Sequence, residues 1–189
     1  MNDLGLYVHW PFCIVKCPYC DFNSHKITNY NENDWLNAYL TQIDFLKTFC
    51  CNNFIKTNKL SSIFFGGGTP NTLRVRNLNN IMESLETAFE FDKHIEITME
   101  MNPGLHSKRK CKEYFSCGIN RVSIGAQSMN DNELGYLGRG HSSDDTKRFV
   151  NELQDVGFSN MSLDFIYGLP NQTKDSVKNS LKKLEEKVR

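Results

Sequence analysis

The chain has 189 residues, 39% of them hydrophobic and 23% charged, with a formal net charge of zero. That is enough apolar matter for one globular domain with a real core, and the balanced charge offers no electrostatic footprint for nucleic acid or a membrane surface. No apolar run approaches the ~20 residues needed to cross a bilayer.

The opening MNDLGLYVHW has neither the order of a secretory signal nor the Arg- and Ser-rich character of a transit peptide, so a cytoplasmic location is expected. Within it, Leu4 to His9 reads as a first strand. A loop follows that carries Cys13, Cys17 and Cys20, three of the seven cysteines within eight residues. An odd count without an export signal argues against a disulfide framework and for metal or redox chemistry. Cys50, Cys51, Cys111 and Cys117 show no ligand spacing and read as small buried or half-buried residues.

Asp34 can cap a helix whose apolar face is Trp35, Leu36, Tyr39, Leu40, Ile43, Leu46 and Phe49. Leu60 to Phe65 is a second strand that ends in Gly66-Gly67-Gly68-Thr69-Pro70. Leu78, Ile81, Met82, Leu85 and Phe89 mark a second helix. Ile95 to Glu100 is the third strand, stopped by Asn102-Pro103-Gly104. A short polar helix around Lys108 to Cys117 leads to the fourth strand, Arg121 to Gln127. Ser142 to Val156 is a helix with Phe149, Val150 and Leu153 inside and Gly157 as a left-handed stop. Asn160 to Ile166 is the fifth strand, and Thr173 caps a last helix bearing Val177, Leu181, Leu184 and Val188.

Strand and helix in strict alternation imply a parallel sheet with right-handed crossovers, open or closing into a barrel. The last helix should pack beside a further strand. In the third strand Ile95, Ile97 and Met99 alternate with Glu96, Thr98 and Glu100. In the fourth, Val122, Ile124 and Ala126 alternate with Ser123, Gly125 and Gln127; in the fifth, Met161, Leu163 and Phe165 alternate with Ser162 and Asp164. Because side chains point to opposite faces with period two, the three strands share one apolar and one polar face. A strand covered by helices on both sides reads as a continuous apolar run instead. The polar face is therefore expected to line a cavity, with Glu100, Gln127 and Asp164 near the strand ends where parallel α/β folds bind ligands.

Three thiolates on a tight loop can hold three irons of a [4Fe–4S] cubane and leave the fourth open to a bidentate amino acid group such as that of S-adenosylmethionine (SAM). An electron from the reduced cluster would then cleave the sulfonium carbon–sulfur bond to a 5′-deoxyadenosyl radical, within the low range of iron–sulfur potentials. A Cys₃His zinc site completed by His9 or His25 is the competing reading, although His9 also suits a packed, hydrogen-bonded histidine. Gly66-Gly67-Gly68 removes side chains where backbone must come close to a ligand, and Thr69 adds a hydroxyl. No Lys-Ser/Thr follows, so this is not a Walker A loop; alone, GGGTP could be a tight turn.

Taken together, LYVHWPFCIVKCPYCDFNSH at 6–25, FFGGGTPNTL at 64–73, ITMEMNPG at 97–104, INRVSIGAQSMNDNELGYLGRGH at 119–141 and MSLDFIYGLPNQT at 161–173 resemble the oxygen-independent coproporphyrinogen III oxidase family of the radical SAM superfamily. The wording CPYCDFNSH resembles its heme-chaperone branch, the HemW type. The oxidases carry a fourth cysteine two residues past the third, where this chain has Phe22, and a long extension ahead of the first strand. The resemblance implies an α/β fold, a partial (β/α)6-type open barrel with about five βα units and no sixth strand. It implies a [4Fe–4S] cluster on Cys13, Cys17 and Cys20, with Tyr7 and Tyr19 bordering cluster and SAM. Gly67, Gly68 and Thr69 would hold the methionine end, and Glu100, Gln127, Arg139 and Asp164 would make the remaining SAM contacts. Arg139 by itself would be a solvated charge.

Family members are about twice as long, so residues 1–189 read as an incomplete radical SAM core lacking the family's C-terminal domain and its heme-associated segment. Heme or porphyrin, a heme-acceptor protein and a flavodoxin- or ferredoxin-like electron donor are the partners implied. Three readings stay open. One is a heme chaperone using cluster and SAM without decarboxylation. Another is a coproporphyrinogen III oxidase, which Phe22 and the short N-terminus disfavour. The third is a truncated remnant that keeps its cluster but handles SAM and heme poorly, with a bare sheet edge as an aggregation risk.

Overall fold

The structure, a computed structural model, describes residues 4–28, 30–52, 59–105 and 107–185. Val188 lies outside them, as do the side chains of Cys51 and Leu184. Strand β1 (Leu4–Trp10) is followed by two short strands within the cysteine segment, β2 (Phe12–Cys13) and β3 (His25–Lys26), which pair with each other in parallel. Then come α1 (Glu32–Asn52), β4 (Lys59–Gly67), a 3-10 turn at Pro70–Thr72, α2 (Val75–Ala88) and β5 (Glu90–Met101). The order continues with α3 (Lys108–Ser116), β6 (Arg121–Gln127), α4 (Asp131–Tyr136), α5 (Ser143–Val156), β7 (Asn160–Phe165) and α6 (Lys174–Glu185).

All five long strands run parallel in the order β1-β4-β5-β6-β7. The register aligns Val8, Phe65, Met99, Val122 and Met161 in one row across the sheet. These side chains pack into the core formed with α1, α2, α3 and α5. One residue back along each strand, Tyr7, Phe64, Thr98 and Arg121 form a row on the opposite face. The alternation read from three strands thus extends over all five. In the interior strand β6, Val122, Ile124 and Ala126 are fully buried. On the edge strand β7, Met161, Leu163 and Phe165 are only half-buried. The last helix shows the same incompleteness, since α6 buries Ser180 and half-buries Val177 but leaves Leu181 47% exposed.

Several boundaries differ from the sequence expectation. Helix α1 starts at Glu32, because the Asn31 side chain accepts from the Asn33 N–H and its carbonyl takes the Trp35 N–H; Asn31, not Asp34, fills the cap position. Phe49 falls on the exposed side of α1, where its ring stacks on Phe45 at 6.1 Å. Strand β5 begins at Glu90, earlier than its alternating part, because Lys59 and Leu60 of β4 pair with Glu90 and Phe91 before a register shift. Helix α4 was not legible: it has six residues, one of them glycine, and forms because the Asn130 side chain accepts from the Asn132 N–H. The expected stop at Gly157 and cap at Thr173 are present, and Ser142, read as the first residue of a helix, stands one residue ahead of α5 as its cap. Ser142 and Asp145 make a reciprocal capping box, Gly157 ends α5 with φ of 116°, and Thr173 Oγ1 accepts from the Ser176 N–H.

The turn after β4 is anchored from below by α3. The Tyr114 hydroxyl, buried and with its pKa raised by that burial so that it stays a donor, lies 3.0 Å from the Asn71 carbonyl and 2.8 Å from that of Leu73. Tyr114→Phe takes the donor from these buried acceptors and is expected to cost about 1–3 kcal/mol in urea denaturation. An unchanged midpoint would show that the turn does not depend on this hydroxyl.

Candidate functional site

The cysteine segment is stitched to the C-terminal ends of β1 and β4. Gly68 N–H donates to the Trp10 carbonyl at 2.6 Å and Thr69 N–H to that of Phe12 at 2.9 Å. The Ile27 N–H donates to the Cys13 carbonyl and the Cys20 N–H to that of Cys17, which turns the chain so that all three thiols reach one cavity. That cavity measures about 350 Å³. Cys13, Cys17 and Cys20 are free thiols on its wall.

Opposite the thiols stand the polar strand ends. Glu100, Gln127 and Asp164 all line the cavity, as do Tyr19, Gly68, Thr69 and Arg139. Tyr7 and Gly67 do not. Tyr7 shares the polar face but stacks on Phe64 at 5.8 Å and is 55% exposed. Gly67 has φ of +113°, its N–H donates to Glu100 Oε2 at 3.2 Å, and a Cβ there would lie 2.6 Å from the His9 ring. A Cβ on Gly68 would lie 2.8 Å from the Phe12 backbone. Within the chain, Gly67 thus makes room for His9 of β1 and Gly68 for Phe12 of the cysteine segment.

Arg139 is no solvated charge. Its Nη2 donates to Asn102 Oδ1 at 2.5 Å and to the Gly125 carbonyl at 2.9 Å, while Nη1 lies 3.3 Å from the Tyr19 hydroxyl and 3.6 Å from Cys17 Sγ. Gly125 makes the crossing possible, since a Cβ would meet Asn102 at 2.7 Å and Arg139 at 3.3 Å. Gly138, with φ of +66°, presses against Pro18 and brings the Arg139 loop onto the cysteine loop. Arg139 Nε is buried and has no hydrogen-bond partner. Asn102 was read only as a strand stop. Its side chain also donates to Thr69 Oγ1 at 3.3 Å, a role that nothing in Asn-Pro-Gly announces.

Electrostatically the cavity sets carboxylates against one guanidinium. Burial pushes the Glu100 carboxyl above its usual range; the Gly67 N–H pulls it back, the Asp164 charge adds to the rise, and His9 opposes it. A cationic ligand between Glu100 and Asp164 relieves that repulsion, and Arg139 offers a carboxylate partner. Burial also raises the Tyr19 phenol, against the pull of Arg139.

A parallel βα sheet with three free thiols, a glycine-rich strand end and facing carboxylates at one mouth defines the class. The chain belongs to the radical SAM superfamily, whose sequence signature spans residues 7–184, and that membership implies a [4Fe–4S] cluster and SAM. Among curated relatives it is 39% identical to the heme chaperone HemW of Haemophilus influenzae over 98% of this chain and 49% of that protein. It is 34% identical to HemW of Escherichia coli over 98% of this chain and 48% of that one. Among solved structures it superposes on coproporphyrinogen III oxidase (HemN) of Escherichia coli with a TM-score of 0.86 and 28% identity, over 97% of this chain and 42% of that one. The chain thus spans about half the length of the curated relatives it matches. The five-stranded parallel sheet agrees with the expected partial barrel.

The residues present fit these cofactors. Among the described residues no three Cys, His, Asp or Glu side chains gather about one ion position. Neither His9 nor His25 is on the cavity wall; His9 Nε2 is 2.9 Å from the Asn23 carbonyl, and His25 is exposed on β3. The unpartnered Arg139 Nε and the opposed carboxylates suit a zwitterionic, sulfonium-bearing ligand.

Proposed function

We propose that Cys13, Cys17 and Cys20 hold a [4Fe–4S] cluster, that SAM lies between them and the strand ends, and that the chain serves heme trafficking and not porphyrin decarboxylation. When bound, cluster and SAM supply a low-potential electron and the carbon–sulfur bond it cleaves. The chain's own residues position the ligand. Arg139 neutralises a carboxylate, Glu100 and Asp164 accept from ammonium or hydroxyl groups, and Gly68, Thr69, Gln127 and Tyr19 close the walls. Tyr7 and Gly67 act from behind, through Glu100 and the β1–β4 seam.

The convergence of three thiols and the Glu100–Arg139–Asp164 set on one cavity carries the cofactor reading. The identity to HemW proteins over nearly the whole chain supports the heme-trafficking reading over the oxidase. So does Phe22, 63% exposed, at the position of the oxidases' fourth cysteine. Residues 1–189 serve in this proposal as the radical SAM core, with a heme-accepting protein and a flavodoxin- or ferredoxin-like donor as partners. Anaerobic incubation of the cluster-loaded chain with SAM, dithionite and coproporphyrinogen III is expected to yield no protoporphyrinogen. Titration with heme is expected to reach about one heme per chain with a shifted Soret band. Protoporphyrinogen formation would restore the oxidase reading, and an unshifted Soret band would leave only the remnant.

A further inference from the structure

On the polar face beneath the cavity, four side chains from two neighbouring strands, β6 and β7, form one hydrogen-bond chain. Arg121 Nη2 donates to Ser162 Oγ at 3.0 Å, Ser162 Oγ lies 3.3 Å from Ser123 Oγ, and Ser123 Oγ donates to Asp164 Oδ2 at 2.8 Å. The direction of the chain is forced at both ends. A guanidinium only donates and a carboxylate only accepts, so Ser162 must accept from Arg121 and Ser123 must donate to Asp164. The one remaining arrangement has Ser162 donating to Ser123. Arg121 is itself held, by Nη1 on Thr98 Oγ1 at 3.2 Å and by Glu96 at 4.0 Å from Nε. Ser123 is 8% exposed, so the donor end of the bond is buried while the Asp164 carboxylate it holds stands exposed.

We infer that Arg121, Ser162 and Ser123 are positioning residues for SAM. They polarise one another toward Asp164, tie down its Oδ2, and leave Oδ1 to accept from a hydroxyl or ammonium of the ligand. Arg121 and Ser162 are not on the cavity wall, and they act through Asp164. The inference rests on the SAM reading given above. Bonds between polarised donors strengthen each other, and one made to a charged group is about twice as strong as a neutral one. Asp164 stands exposed on the edge strand β7, and among the described residues Ser123 gives its side chain its one hydrogen bond.

The test measures SAM affinity by anaerobic equilibrium dialysis on the cluster-loaded chain. Ser123→Ala is expected to weaken SAM about tenfold, with iron content and melting temperature unchanged, and Ser123→Thr, which keeps the hydroxyl, to restore most of it. Ser162→Ala should weaken SAM by a smaller factor. In an Asp164→Ala background, Ser123→Ala should have no further effect, as coupled residues require. Additive losses, or an unchanged affinity in Ser123→Ala, would overturn the relay while leaving the SAM reading intact. A wild-type chain that holds four irons but binds no SAM would overturn both.

Discussion

Replacing Cys13, Cys17 or Cys20 singly by serine is expected to cut the iron retained after anaerobic reconstitution from about four per chain to well below one. Each thiolate holds its own corner of a cubane, so losing one leaves an iron with only a hard oxygen ligand, a poor partner for iron in a sulfide cluster. All three line one cavity, and among the described residues no fourth cysteine does. Fold stability should barely change in the Cys17 and Cys20 variants, because serine nearly matches cysteine in size and both positions are only half-buried, whereas the buried Cys13 is the one where a serine hydroxyl has to be desolvated. Cys111→Ser is the informative control. Its thiol is 1% exposed on α3, packed in the core and away from the cavity wall, and burial pushes it up to about 11. The measurement is iron, sulfide and zinc per chain. Stoichiometric zinc in the wild type, or iron unaffected in all three variants, would refute the cluster.

The second large effect is expected at Gly68. An added Cβ falls 2.8 Å from the N and O atoms of Phe12 and 2.9 Å from its carbonyl carbon, all backbone atoms that cannot rotate away. Phe12 is itself pinned. Its carbonyl accepts from Thr69, it pairs with His25 across β2 and β3, and its ring stacks on Tyr30 at 4.2 Å and edge-on to Trp35 at 5.0 Å. Relief therefore requires the cysteine segment to lift off the end of β4, which carries Cys13 with it. Gly68→Ala should cost about 3 kcal/mol and lower the melting temperature by about 6–12 °C for a chain of this size. Cluster retention should fall several-fold alongside. Gly140→Ala, with open space at its Cβ, should stay within about 0.5 kcal/mol of wild type. If Gly68→Ala melted with the wild type and kept four irons, the seam between β4 and the cysteine segment would be softer than its hydrogen bonds imply.

The glycine result shows where sequence reasoning reached its limit. Gly66-Gly67-Gly68 was recognisable as a close approach, yet the approaching group is Phe12 and His9 of the same chain, and no local pattern names it. Arg139 shows the same limit. Alone in GYLGRGH it carries no periodic signal, and only the resemblance pointed to it. The structure supplies the physical reason, a guanidinium that crosses above Gly125 to reach Asn102 and Cys17. Helix α4 and the Asn31 cap were missed because six residues and one side-chain bond are too little for a periodicity to register.

What the amino-acid order determined by itself was which way each strand residue faces. Glu100, Ser123, Gln127 and Asp164 fell on one side because side chains alternate with period two, a property of the local backbone that needs no partner strand. The caps at Ser142, Gly157 and Thr173 were local in the same sense. Only the tertiary structure decided which loops meet at the mouth of the sheet. Cys17 and Arg139 are 122 residues apart, and their encounter depends on strand order, parallel register and the fit of Gly138 against Pro18. Those contacts are made through space after the chain has folded, so no spacing along the chain encodes them.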